Sequence, residues 1–301
     1  MIVLNQEISP EKFDRLIADI KEKKELRAIE SSIVIESISA FLQLNPKILR
    51  EFAVREDFDN FRRGSGYKKI IKYVRAFLRR AVGAYHKQGY KNNKQLLENL
   101  NGIIQSEGLL SPKSLEMHKH ILATHSSTAE RLKSYAPLYK MLFKAACLPK
   151  TILDLGCGLN PLSLPWMGLP KLDYYAVDLN QDNLDIAKKY FEIAGIKGFV
   201  KRLNLRDITK TNVLLQFPKV EMCFMFKLLE VVEIKGHKIA ELLISHVKAG
   251  WIVASFATKT LSGKRMALKR RFWFEKLLRR LCFDFSILEM ETEIFYIIHK
   301  Y

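Results

Sequence analysis

"DLGCGLNPLSLPW", Asp154 to Trp166, sits directly after the apolar run "TILDL", and its two glycines are one residue apart. A buried strand that turns this tightly is making room for something at its end, as the first strand–turn of a doubly wound sheet does. The surrounding sequence agrees. After Lys150, short β-rich runs ("TILDLG", "DYYAVDL", "FVKRLNL", "EMCFMF", "WIVASFA") alternate with the helical segments "NQDNLDIAKKYFEIAG" and "EIKGHKIAELLISHVKAG". Alternation of this kind predicts βαβ units and a mostly parallel sheet with helices on both faces. The tail runs "FSILEME" and "EIFYIIHKY" predict an antiparallel pair at the end of that sheet.

Upstream the character differs. From Ser9 to about Leu122 the apolar residues recur at helical spacing, as in Phe13, Leu16, Ile17 and Ile20, with Ser9 as N-cap and Pro10 at the first helical position. The expected architecture is therefore an all-helical domain over residues 1–122, followed by an α/β, Rossmann-like domain over residues 123–301.

Charge is the strongest bulk signal: 50 Lys+Arg against 32 Asp+Glu gives +18, pointing to a polyanionic partner. The excess is local. Residues 1–60 hold 12 acids and 9 bases, whereas residues 61–97 hold 11 bases and no acid. On a helix, Lys68, Lys72, Arg75 and Arg79 share a face opposite Val74 and Leu78, with Arg80 adjoining, and that face is expected to grip phosphate. The aromatics interleaved there (Phe61, Tyr67, Tyr73, Phe77, Tyr85, Tyr90) are expected to be helix core rather than base-stacking platforms. A second cluster, residues 259–280, has 9 bases including Lys264 and Arg265 against the single acid Glu275. The longest apolar runs fall far short of the roughly 20 residues that span a bilayer, so a soluble, cytoplasmic protein is expected. Cys147, Cys157, Cys223 and Cys282 lie far apart with no metal-ligand spacing, which indicates neither a disulfide framework nor a metal site.

The turn itself selects among nucleotides. Gly156 and Gly158 suit a close approach, but Pro161 stands where a dinucleotide fold places its third glycine, which argues against a bound pyrophosphate. Asp178 follows Gly158 by 20 residues and ends the second strand, where a carboxylate would bond ribose hydroxyls. The plainer alternative makes the glycines an ordinary turn and Asp178 a helix cap. Strand, D-x-G-x-G turn, helix and acid together resemble the class I S-adenosyl-L-methionine (SAM) methyltransferases.

"HSSTAER" (His125–Arg131) reads locally as a capping box, with Ser127 capping and Glu130 reaching back. Taken with "DLGCGLNPLSLPW", "FKLLEVVE" (Phe226–Glu233) and "TKTLSGK" (Thr258–Lys264), it resembles the aminoglycoside-resistance 16S rRNA (guanine-N7) methyltransferases of the Arm type. The resemblance implies a cofactor site. Arg131 would pair with the methionine carboxylate of SAM; Asp154, Gly156, Gly158 and Asn160 would form the turn beneath it; Asp178 and Leu179 would hold the ribose. Asn204 and Leu205 would lie beside the adenine, and Phe226 and Lys227 would line the mouth. It also implies a basic helical domain that docks on the 30S subunit, and an enzyme acting as a monomer. The family continues after "TLSGK" with a glycine–methionine segment that grips the target nucleotide. This chain instead runs "RMALKRRFWFEKL", with Met266 as the candidate substitute.

Guanine N7 carries a lone pair at neutral pH, so attack on a sulfonium methyl needs no general base, and no catalytic acid, base or nucleophile is called for. Cytosine C5 chemistry is disfavoured by the lack of a Pro-Cys nucleophile, and amino-group chemistry by "FKLL" in place of Asx-Pro-Pro-aromatic. Two other readings stay open: a small-molecule methyltransferase, and a non-catalytic rRNA-binding factor on the same fold.

Overall fold

The computed structural model describes residues 2–3, 6–27, 29–83, 87, 89–206, 213–233, 236–259 and 264–301. It divides into two compact units, residues 1–85 and 86–301. In the first unit, strands β1 (Ile2–Val3) and β2 (Gln6–Glu7) pair antiparallel ahead of five helices. These are α1 (Pro10–Lys21), α2 (Ser31–Leu44), α3 (Pro46–Val54), α4 (Phe58–Arg63) and α5 (Ser65–Leu78). The first helix starts at Pro10 as expected, although the Ser9 hydroxyl makes no capping bond. Its buried stripe is Phe13, Leu16, Ile17 and Ile20. Phe13 meets Phe52 edge-on at 5.8 Å, and Phe52 meets Phe61 at 4.9 Å. Phe61 and Phe77 are core residues, as expected, whereas Tyr85 lies outside the described residues.

The second unit begins with four helices, α6 (Asn93–Glu107), α7 (Pro112–Ala123), α8 (Ser126–Arg131) and α9 (Tyr135–Ala145). Strands β3 (Thr151–Leu155), β4 (Asp173–Asp178), β5 (Lys197–Arg202), β6 (Val220–Phe226) and β7 (Ala249–Ala257) follow. Helix α10 (Gln181–Ala194) connects β4 to β5, while α11 (Leu229–Val232) and α12 (Lys238–His246) connect β6 to β7. Helix α13 (Phe272–Arg280) then leads to β8 (Asp284–Glu289) and β9 (Glu293–His299). The sheet order is β5-β4-β3-β6-β7-β9-β8, parallel throughout except that β9 runs antiparallel between β7 and β8. The expected antiparallel pair is thus present, and the order reverses at β3, between β4 and β6.

Because both faces are covered, the central strands are apolar on both sides, which explains their unbroken hydrophobic spelling. One face packs with Leu97, Leu100, Ile121, Leu122, Tyr139 and Tyr190; the other packs with residues of α12 and α13 such as Leu243, Ile244 and Phe274. This packing also accounts for the position of the boundary. The sequence suggested a break at residue 122, but α6 and α7 bury their apolar stripes in the core of the sheet. Their polar groups join it too, through His118 Nε2 to the Tyr190 hydroxyl at 3.0 Å. Burial lowers His118 to about 4, so the ring is a neutral structural link near pH 7.

Candidate active site

At the carboxyl end of β3 the chain turns at once. The N–H groups of Gly156 and Cys157 both donate to Val177 O at the end of β4, at 2.8 and 2.9 Å. Gly156 has φ +71°, and a Cβ there would lie 2.7 Å from Leu228 Cδ1; Gly158 has φ +51°, with His125 Cε1 3.1 Å from where a Cβ would stand. Glycine is needed at both positions for conformation as well as space. The helix after the turn is a 3-10 helix, Asn160–Trp166; Pro161 and Pro165 each remove an N–H from it.

Three carboxylates organise this edge. Asp178 is 9% exposed, and its oxygens accept from Gly158 N at 2.7 Å and Asn180 N at 2.8 Å. The cap of α10 proper is Asn180, so the plainer cap reading of Asp178 holds only in part: the carboxylate ties the glycine turn to the next helix. Burial raises its pKa, opposed by the Asn180 and Gly158 N–H groups and, behind them, by the Asn183 side chain and the Leu179 N–H. Asp154 is fully enclosed. Its Oδ2 accepts from the Tyr174 hydroxyl at 2.6 Å and Asn160 Nδ2 at 2.9 Å, while Oδ1 has no partner among the described residues. Burial pushes it up to about 6, opposed by those two donors.

The third carboxylate, Glu293, was not expected from the sequence. It begins β9, is 1% exposed, and faces Ala257 in register. Arg131 donates to it twice, Nε to Oε2 at 2.8 Å and Nη2 to Oε1 at 3.0 Å. The Ser255 hydroxyl donates to it as well, and Lys227 Nζ stands 3.8 Å away. Burial would raise Glu293, but Arg131 and Lys227 together hold it below its ordinary value. Burial likewise opposes the charge on Arg131, and Glu293 more than offsets it. The guanidinium also lies 4.8 Å from the Phe226 ring centroid, and Phe226 stacks on Phe224 at 4.6 Å. Phe226 therefore packs in the core and flanks the Arg131 guanidinium.

Lys227 adopts φ +53°, a left-handed conformation that an L-residue holds only when its surroundings impose it. Its N–H donates to Ser255 O at 3.1 Å and its ammonium pairs with Glu130. Glu130 thus serves Lys227 rather than a capping box. Helix α8 starts at Ser126 with His125 as N-cap, which puts Ser127 inside the helix, where its Oγ accepts from Arg131 Nη2 at 3.1 Å. The capping-box reading is overturned. Tyr135, 1% exposed, stands in the same neighbourhood, next to Arg131. Asn204 follows β5, accepting from Arg206 N at 3.2 Å, and Leu205 is buried beside it; Leu179 O accepts from Arg202 Nε at 3.2 Å.

The two basic segments need correction. Residues 61–97 are free of acid in sequence but not in space. Within the first unit Arg62 pairs with Asp19 at 3.0 Å, Arg75 with Glu22 at 3.2 Å, and Arg79 with Glu25 at 2.8 Å. Arg75 and Arg79 are therefore not free phosphate grips, whereas Lys68, Lys69, Lys72 and Arg80 are exposed. In the second cluster, Lys259, Lys269, Arg270, Arg271 and Arg280 pair with Glu291, Glu289, Glu275, Glu230 and Glu241. Lys264 and Arg265 are exposed, and residues 260–263 of "TKTLSGK" lie outside the described residues.

A sheet of this order, with a glycine turn after its first strand and an acid ending its second, defines a Rossmann-like class I methyltransferase. More closely, the profile of the ribosomal RNA methyltransferase (FmrO) family matches residues 44–297, and the chain belongs to that family. A Micromonospora rosea protein named 16S rRNA (guanine(1405)-N(7))-methyltransferase is 25% identical over 233 residues, 76% of this chain and 82% of the relative. One of the same name from Serratia marcescens is 30% identical over 190 residues, 60% of this chain and 70% of the relative. Among solved structures, the 16S rRNA methyltransferase RmtF in complex with S-adenosyl-L-homocysteine matches 97% of this chain and 100% of its own. Its TM-score is 0.68 at 19% identity, a likeness of fold.

Proposed function

We propose that this chain is a SAM-dependent methyltransferase that modifies N7 of a guanosine in the decoding site of 16S rRNA, acting as a cytoplasmic monomer on the assembled 30S subunit. The observation that carries the reading is the charged constellation at the carboxyl ends of β3, β4 and β6 in a chain of the rRNA methyltransferase family. SAM supplies an electrophilic methyl on a sulfonium.

The residues fit such a group. Asp154 Oδ1, fully buried, has no partner among the described residues, and a buried unpaired polar atom is costly unless a ligand satisfies it. Asp178, ending β4, would meet the ribose hydroxyls, with Leu179 beside it. Gly156 and Gly158 keep the turn low, Asn160 fixes Asp154, and Leu205 offers an apolar wall with Asn204 at its rim. Arg131 would receive the cofactor's carboxylate through Nη1, the nitrogen that Glu293 and Ser127 leave over. Phe226 and Lys227 close the mouth.

The chain's own contribution to the reaction is positioning. A guanine presenting N7 in line with the methyl needs no proton removed, so the carboxylates here orient cations and backbone rather than act as bases. Well-aligned partners can gain about 7–11 kcal/mol from proximity alone. The RNA major groove is deep and narrow, so the guanine has to leave its stack to reach the site. Lys68, Lys72 and Arg80 of the first unit, with Lys264 and Arg265 of the second, supply exposed charge for the phosphate backbone; Arg75 and Arg79 would contribute only after exchanging their carboxylates for phosphate. The test is incubation of purified protein with SAM and 30S subunits, followed by nuclease digestion and mass spectrometry. Accumulation of 7-methylguanosine supports the reading; its absence with active protein and fresh subunits refutes it.

A further inference from the structure

The basic run after β7 contains one arginine unlike its neighbours. Arg271 is 8% exposed, and all five of its guanidinium N–H donors are accounted for within the chain. Nε donates to Glu230 Oε1 at 2.7 Å; Nη1 donates to Leu268 O at 3.2 Å and Lys269 O at 2.7 Å; Nη2 donates to Ala257 O at 2.8 Å and Met266 Sδ at 3.4 Å. Its backbone N–H donates to the Tyr296 hydroxyl at 2.8 Å. None of this fork is left for a phosphate.

What the fork holds is informative. Met266 N donates to Thr258 O at 2.8 Å and Lys259 bridges Arg265, so residues 264–271 fold back along the end of β7. Both anchors adjoin the site. Ala257 faces Glu293, the carboxylate that holds Arg131 and Lys227, and Glu230 lies three residues beyond Lys227 on α11. The held segment presents the exposed cations Lys264 and Arg265 together with Leu268, which is 67% exposed. An apolar tip between cations, fixed at the carboxyl edge of a sheet, is suited to an unstacked base and its phosphates.

We propose that Arg271 is a positioning residue for methyl transfer: its buried fork clamps residues 264–270 to β7 and α11, and thereby sets where Arg265, Met266 and Leu268 meet the RNA. This rests on the rRNA methyltransferase reading. Displacing a positioning group by about 1 Å can cost about 100-fold in rate, so the effect belongs in kcat.

The test compares Arg271→Met, Arg271→Lys and Glu230→Gln with the parent protein. It reads kcat and KM for 30S subunits, SAM affinity by calorimetry, and tryptic cleavage after Arg265 by mass spectrometry. Arg271→Met should lower kcat by about 10- to 100-fold with KM and SAM affinity within about threefold of the parent. Arg271→Lys should recover part of kcat, because charge survives without the fork, and cleavage after Arg265 should accelerate in Arg271→Met. Unchanged kcat, or loss of SAM affinity in step with kcat, overturns the proposal. Should Arg271→Met fail to fold, Glu230→Gln decides, since its carboxylate is 44% exposed; an unchanged kcat there overturns it. If the parent protein itself methylates no subunits, the functional reading fails separately. The clamp is then judged by cleavage alone, equal rates contradicting it.

Discussion

Arg131 and Arg79 each place Nε 2.8 Å from a glutamate oxygen, yet the two pairs differ in almost everything else. In the first, the side chains are 3% and 1% exposed; in the second, 43% and 42%. Water screens the surface pair and offers replacements for either partner, so little is lost when it opens. The buried pair has no such alternative, and removing one member strands the other in a low-dielectric interior. The same Nε–oxygen distance thus occurs in a fixed, doubly bonded scaffold at the sheet edge and in an exchangeable single contact on the helical unit. The scaffold is suited to orienting a small charged ligand, and the exchangeable contact to trading a carboxylate for a phosphate.

The largest effect should come from Glu293→Ala, which leaves Arg131 and Lys227 without their shared carboxylate. Urea denaturation should show a loss of about 3–5 kcal/mol, while Glu25→Ala should leave the midpoint nearly unmoved. Equal shifts in the two variants would erase the distinction drawn between the pairs.

Asp154 sharpens it through pH. Its folded pKa, about 6, lies above the ordinary 3.8, so the folded state holds the proton more tightly. The stability this contributes is fully present below 3.8 and is lost as pH rises through 6, a total on the order of 3 kcal/mol. The difference in stability between the parent protein and Asp154→Asn should therefore fall across that window and flatten above it. A difference independent of pH would show that the buried carboxylate does not titrate there.

Gly156→Ala adds a Cβ at φ +71° and 2.7 Å from Leu228 Cδ1. The left-handed conformation alone costs an alanine about 1–2 kcal/mol, and a turn that shifts to relieve the contact should weaken SAM binding by about tenfold in calorimetry. Unaltered affinity would separate the turn from the cofactor. The smallest effects belong to the exposed lysines. Lys68→Ala and Lys72→Ala should each lower the slope of log affinity for 30S subunits against log salt by about 0.7–0.9, and Glu25→Ala should leave that slope unchanged or steepen it.

What the sequence disclosed follows from how local each feature is. β3, its glycine turn and Asp178 were legible because the 28 residues from Thr151 to Asp178 contain the whole device. The antiparallel β8–β9 pair was legible from two apolar runs joined tightly. Pairings distant in sequence were not. Glu293 lies 162 residues after Arg131; the only hint was an acid opening the apolar run "EIFYIIH". The acids that neutralise Arg62, Arg75 and Arg79 stand more than 40 residues earlier, at Asp19, Glu22 and Glu25, so an acid-free run in one dimension became a partly paired face in three. Ser127 misled for the opposite reason: the local capping pattern was complete, but with His125 as N-cap the helix starts two residues earlier, and Thr128 Oγ1 donates to Leu122 O at 2.6 Å. The break between units moved from residue 122 to 85 because helical spacing says that α6 and α7 are helices, not which core they join.

Reduction and aniline scission of 16S rRNA, mapped by primer extension after treating 30S subunits with the purified protein and SAM, tests the central claim most directly. The account predicts one new SAM-dependent stop at a decoding-site guanosine, strong on subunits and weak or absent on naked RNA. An unchanged stop pattern on both substrates, from protein that binds SAM, would contradict it.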